Sequence, residues 1–187
     1  MTRPLSAALF ALALAACGSP PVRYHTLLPP DEAPARGAPA AFLVEVLPVG
    51  IPAALDQPQI AIRRGEAGVV LLDGDRWAGP LDEELRRALS AGIGRRLGAR
   101  DAAGLPRPPD RPVLQVKVEI RRLDAWPGRK IVLDADWTLV YANARRLGGA
   151  RIEEPAPGAL PELTQAAQRA VAALAEKIAV EAVGLRQ

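Results

Sequence analysis

Cysteine occurs once in the 187 residues, at position 17, and histidine once, at position 25. One cysteine excludes an intramolecular disulfide framework. One histidine argues against a multi-histidine metal site or a Ser-His-Asp triad. Lysine is also scarce, with only Lys117, Lys130 and Lys177, so arginine carries most of the positive charge. There is no large excess of either sign: 24 basic residues stand against 21 acidic ones, a formal charge of +3. That balance argues against a dedicated nucleic-acid binder, which shows a basic stripe or a stronger basic excess. No apolar run reaches the roughly 20 residues that a membrane-spanning helix needs. What remains is 49% hydrophobic residues and a mean hydropathy of +0.05, enough to build one core in a single domain of ordinary size.

The first twenty residues carry the compartment signal. Arg3 supplies a positive charge, and Leu5 to Ala16 is apolar apart from Ser6. This is the anatomy of a secretory signal peptide. It ends Leu14-Ala15-Ala16-Cys17, with small residues before a cysteine, which is similar to the bacterial lipoprotein lipobox. On that resemblance residues 1–16 are a signal peptide, Cys17 takes a diacylglycerol through its thiol, and residues 17–22 are a lipidated tether. Two or more acyl chains give stable membrane attachment. Gly18 and Ser19 follow the cysteine, with no Asp directly after it. The lipoprotein resemblance therefore implies an outer-membrane lipid anchor facing the periplasm. The tether is short, and extended chain spans at most about 3.6 Å per residue, so the folded body is expected within roughly 20 Å of the lipid surface.

Periodicity sets the rest. Arg23–Leu28, Phe42–Leu47, Ile60–Arg64 and Val69–Leu72 read as short strands, the last two joined at Gly65–Gly68. Residues 29–40 and 99–112 are Pro-rich and read as loops. Pro80 opens a helix with Asp82, Glu83 and Glu84 in its first turn and Leu81, Leu85, Ala88, Leu89, Ile93 and Leu97 on one stripe; Gly98 stops it. Residues 114–120 alternate with period two, and Asp124–Gly128 is turn chemistry. In 131–141, Trp137 shares the apolar face, and Asp134 and Asp136 share the other. Residues 145–152 read as a weak further strand, and a second helix covers 160–185. The expected fold class is α+β: a mixed, mostly antiparallel sheet with two long helices on one face, forming a single domain over 23–187.

Four stretches in the mature chain carry a family resemblance: Arg23-Tyr24-His25-Thr26-Leu27; Val44–Pro52 leading into Leu55-Asp56-Gln57-Pro58-Gln59-Ile60; Arg76-Trp77-Ala78-Gly79-Pro80-Leu81; and Leu133-Asp134-Ala135-Asp136-Trp137-Thr138-Leu139. In this order, behind a lipobox, the chain resembles the PqiC-like ABC-type transport auxiliary lipoproteins, periplasmic partners of MCE-domain lipid transport systems. Gln57 stands where that family usually has Arg, and Gly79 where it usually has Glu. The resemblance implies a non-enzymatic auxiliary of a phospholipid transport system, docking an MCE-domain protein under the outer membrane, with a homo-oligomer as a further partner and no nucleic acid. The alternative from a different class is a structural envelope lipoprotein that binds peptidoglycan or an outer-membrane assembly partner.

No cofactor is expected. Asp134 and Asp136 could face each other as an acid/base pair requires, but no nucleophile or metal-ligand set accompanies them. Gly65–Gly68 lacks the Lys-Ser/Thr ending of a phosphate loop, and Gly92–Gly94 lies inside the expected helix. Candidate partner-binding residues are Arg76, Trp77 and Trp126, because Trp and Arg dominate binding hot spots; for Trp77 the alternative is packing at the strand-to-helix corner, and for Trp126, on a hairpin tip, the contact is a partner, an oligomer neighbour or a membrane. Asp56 joins them as the proposed ion-pair partner of Arg76.

Overall fold

An antiparallel meander forms the centre of the fold: β6 (Val113–Trp126), β7 (Lys130–Tyr141) and β8 (Ala144–Pro155). The structure is a computed structural model that describes residues 21–30, 40–104, 106 and 111–185. The signal segment and Cys17 lie outside the described residues. Ahead of the meander come β1 (Arg23–His25), β2 (Leu43–Val46), a 3-10 turn at Ala53–Leu55, β3 (Gln59–Arg64), β4 (Gly68–Trp77), helix α1 (Leu81–Leu97) and β5 (Arg100–Asp101); helix α2 (Leu160–Leu185) follows it. The strands make two sheets. One has five strands in the order β5-β2-β6-β7-β8, with β2 parallel to both neighbours; the other has three, β1-β4-β3, with β1 parallel to β4.

Alternation in the meander assigns its two faces. Leu114, Val116, Val118, Ile131, Leu133, Ala135, Trp137 and Leu139 are buried beneath the helices. The partners of opposite parity lie on the outer face, where charge meets charge across the strands. Helix α1 rests against β2, and α2 against β6, β7 and β8. The stripe from Leu163 through Leu174 to Ile178 is fully covered, with alanines between. Small residues let the helices close on each other: a Cβ added at Gly92 of α1 would lie 2.7 Å from the Ala175 Cβ of α2. Gly98 ends α1 in the left-handed conformation, φ 66°, which costs least without a Cβ.

The fold class matches the sequence expectation, with both helices on one face of the larger sheet. The strands differ from it in three ways. Two sheets form where one was expected, because β3 and β4 pair as a hairpin and take only β1 as a further neighbour. A short strand, β5, appears inside a stretch read as loop; Ala102 N–H donates to the Val44 carbonyl and holds it on the edge of β2. The weak strand at 145–152 is in fact twelve residues long and pairs along its whole length with β7. Its Gly148-Gly149 depresses strand propensity, yet Gly148 is required, since a Cβ there would collide with the Trp137 indole.

Candidate functional site

The segment that follows the tether is fastened to the body by a dense polar cluster. In β1, Arg23 Nε and Nη2 donate to the two carboxylate oxygens of Asp75 at 2.8 and 2.7 Å. This bidentate geometry is the strong form of an arginine–carboxylate pair. His25 Nε2 lies 2.8 Å from the same Asp75 Oδ1. An ionised carboxylate only accepts, so His25 donates from Nε2. The Arg23 hydrogen bonds hold the Asp75 carboxyl below its ordinary range, against the burial that pushes it up, with His25 assisting. The parallel register that makes this possible places Arg23 against Asp75 and His25 against Trp77.

The next residues have no ladder partner and are held by side chains instead. Thr26 Oγ1 donates to Glu84 Oε2 at 2.6 Å, and Leu27 N–H donates to the same oxygen at 3.0 Å. Gln168 Nε2 of α2 donates to the Thr26 and Leu28 carbonyls at 2.9 and 3.3 Å. Leu27 is sealed in the core. Both helices therefore grip the chain a few residues after the tether. In sequence Glu84 reads with Asp82 and Glu83 as a first-turn charge, and nothing marks Asp75 or Gln168. Their partners lie fifty or more residues away in the chain, and no local pattern announces them.

The residues singled out from sequence do not come together as one surface. Trp77 is 7% exposed. It ends β4 and packs at the strand-to-helix corner, with its side chain in the core and its backbone N–H donating to the Pro58 carbonyl. Arg76 is half-buried between Tyr24 and Gln59 in the three-stranded sheet. Asp56 is exposed at the end of the 3-10 turn. Asp56 and Arg76 make no ion pair among the described residues; across the β3–β4 pair Arg76 opposes Gln59. The Leu55–Ile60 loop does abut the Arg76–Leu81 corner, where the Trp77 backbone N–H meets the Pro58 carbonyl at 2.9 Å.

Of the two candidate tryptophans, Trp126 is the more accessible. It is half-buried at the end of β6, and its ring lies 5.5 Å from the Arg63 guanidinium and 5.1 Å from that of Arg129. Both distances fit cation–π contact. Pro127 and Gly128, the latter at φ 67°, make the turn back to β7, the type II arrangement.

The outer face of the five-stranded sheet is a lattice of ion pairs. Arg122 reaches Asp134 at 2.9 Å, Arg151 reaches Asp134 at 3.7 Å and Glu153 at 2.9 Å, and Lys130 reaches Glu153 at 2.5 Å. Lys130 and Arg151 together hold the Glu153 carboxyl below its ordinary range. Asp136 pairs with Arg121. Asp134 and Asp136 thus answer to different arginines and are not set up as an acid/base pair.

Open grooves of about 420 and 520 Å³ lie along this charged face. An apolar crevice opens between Leu55, Ile60, Trp77, Leu81, Leu123 and Leu163, with room for about 20 Å³. That is one water's worth, against the roughly 300–1,000 Å³ of a small-molecule pocket. Among the described residues no His/Cys/Asp/Glu group could hold a metal ion, and no helix is long and apolar enough to cross a membrane.

Fold and cluster together define a two-layer α+β domain in which β1 is fastened to β4 and the residues just after it, Thr26–Leu28, are held by both helices. The chain belongs to the family of ABC-type transport auxiliary lipoprotein components, whose model matches residues 25–179. It is similar in structure to a crystallised uncharacterised protein (TM-score 0.70, 21% identity, 87% of this chain and 99% of that one) and to a protein from Xanthomonas campestris (TM-score 0.54, 14% identity, 85% and 90%). No curated protein matches.

Proposed function

We propose that this auxiliary component is an outer-membrane lipoprotein, acylated at Cys17, that docks the MCE-domain protein of an intermembrane phospholipid transport system and is not an enzyme. The grip on residues 23–28 carries this reading. A chain meant to swing freely needs no bidentate Arg23–Asp75 pair and no buried Glu84 acceptor directly after its tether. The body is held close to the lipid that carries it, at the end of a chain of at most about 22 Å. Confinement to a surface raises the effective concentration for a partner arriving there. Family membership supports the transport role. The small apolar crevice supports an adaptor over a lipid carrier. Asp134 and Asp136, committed to ion pairs, support the absence of catalysis.

Photocrosslinking in cells from position 126 and from exposed Asp56, with the captured protein identified, tests the proposal. Capture of an MCE-domain protein from either position is the expected result. Capture of peptidoglycan-associated or outer-membrane assembly proteins from both positions, with no MCE-domain protein, overturns it in favour of a structural envelope role.

A further inference from the structure

We infer that the β3–β4 hairpin is a membrane-interface contact, seating the domain on the headgroup region of the same bilayer that holds its lipid. The inference rests on the proposed acylation of Cys17 and adds which surface faces that bilayer.

The outer half of β4 exposes apolar side chains where a sheet normally covers them. Val69 is 49% exposed and Leu71 39%. They share one face, opposite Arg63 and Ala61 of β3. Beside them stand cations and an aromatic ring: Arg63, opposite Val69, lies over the Trp126 ring while pairing with Asp124 at 3.5 Å, and Arg129 covers that ring as well, with exposed Glu66 and Asp73 as the acids of the hairpin. Arg64 and Arg129 have no carboxylate partner among the described residues. Aliphatic side chains beside Trp and arginine make the chemistry of a lipid–water interface, where apolar groups enter the acyl boundary and guanidinium groups meet phosphates.

Chain direction independently selects the same end of the domain. Because β1 is parallel to β4 with Arg23 beside Asp75, the chain upstream of Arg23 leaves toward the N-terminal half of β4. At about 3.3 Å per residue, Leu71 and Val69 lie roughly 13 and 20 Å from Asp75 along the strand. Cys17 is six residues upstream of Arg23, a reach of at most about 22 Å. The lipid and the exposed hairpin therefore fit at one level. Leu147, 75% exposed on β8, belongs to the other sheet and serves as the reference position.

The test uses the full lipidated protein. Acylation of Cys17 leaves the mature chain without a thiol, so Val69→Cys, Leu71→Cys and Leu147→Cys each accept one fluorophore. The proteins are reconstituted into phosphatidylethanolamine/phosphatidylglycerol vesicles containing a headgroup nitroxide lipid. Quenching at positions 69 and 71 is expected to exceed that at 147 by about twofold or more, as entry of an apolar face some 5–10 Å into the interface requires. Equal quenching at all three positions, in protein that floats with the vesicles, overturns the hairpin contact and leaves the acylation standing. Protection of 69 and 71 from an aqueous quencher without lipid quenching assigns the patch to a second copy or a partner protein, and also overturns it. Protein that does not float at all overturns the Cys17 reading on which the inference rests.

Discussion

Thr26 and Glu84 are 58 residues apart in the chain and 2.6 Å apart in the fold, hydroxyl to carboxylate. The same carboxylate oxygen also accepts from the Leu27 N–H, in a site where Glu84 is almost fully buried. Glu84→Ala strands two donors, and an orphaned buried polar group costs about 1–3 kcal/mol. We expect Glu84→Ala to lower unfolding free energy by about 2–3 kcal/mol and Glu84→Gln, which keeps an acceptor, by less. Urea unfolding of the two variants measures the order. Equal losses would mean that the acceptor is not what matters.

Acid should weaken the start of α1. Glu83 accepts from Arg86 and Arg87, and chiefly the Arg86 hydrogen bonds lower its carboxyl to about 2. A carboxyl lowered in the folded state contributes stability that is fully present above its unfolded value and disappears as pH falls through the folded one. The contribution of Glu83 is therefore constant above about pH 4.5 and drains away toward about pH 2; Asp75 acts in the same direction. The pair at Glu83 is half-exposed, so salt reduces it. Thermal unfolding of wild type and Glu83→Gln against pH should show curves that differ at neutrality and converge in acid.

The contact between the helices is set by Gly92. Ala is favoured over Gly in a helix by about 1 kcal/mol, but the new Cβ would meet Ala175 at 2.7 Å, and overpacking costs about 1–3 kcal/mol. Gly92→Ala is expected to be neutral to destabilising, by up to about 2 kcal/mol, as the difference of the two. Adding Ala175→Gly should show favourable coupling in a double-mutant cycle.

Asp56 and Arg76 supply a control. They form no ion pair, so the coupling between Asp56→Ala and Arg76→Ala is expected below the roughly 0.3–0.5 kcal/mol within which independent sites add. A larger coupling in denaturant unfolding would restore the pairing that the structure does not show.

Regular elements were legible because their signals are local. The stripe of Leu81, Leu85, Leu89 and Ile93 predicts α1, and the alternation at Leu114, Val116, Val118 and Ile120 predicts the covered face of β6. Trp137 was rightly assigned to the core. Long-range commitments were not legible. Glu84 has the spacing of a helix-start charge whether or not a threonine from β1 meets it. Trp77 has the same neighbours in sequence whether it points inward or outward, and only the register of β1, β3 and β4 turns it in. Trp126 reads as a bare hairpin tip because Arg63, which covers it, belongs to another sheet. The full length of β8 was hidden because an edge strand exposes most of its side chains and shows no clean alternation.

The parallel setting of β1 against β4 has a mechanical consequence. Any pull arriving from upstream of Pro21 runs along the axis of β1, so it loads the β1–β4 bonds and the Arg23–Asp75 fork in shear, all at once. An antiparallel strand entering from the opposite end would open like a zipper, one bond after another. The domain resists tension best in the direction from which its own N-terminus arrives.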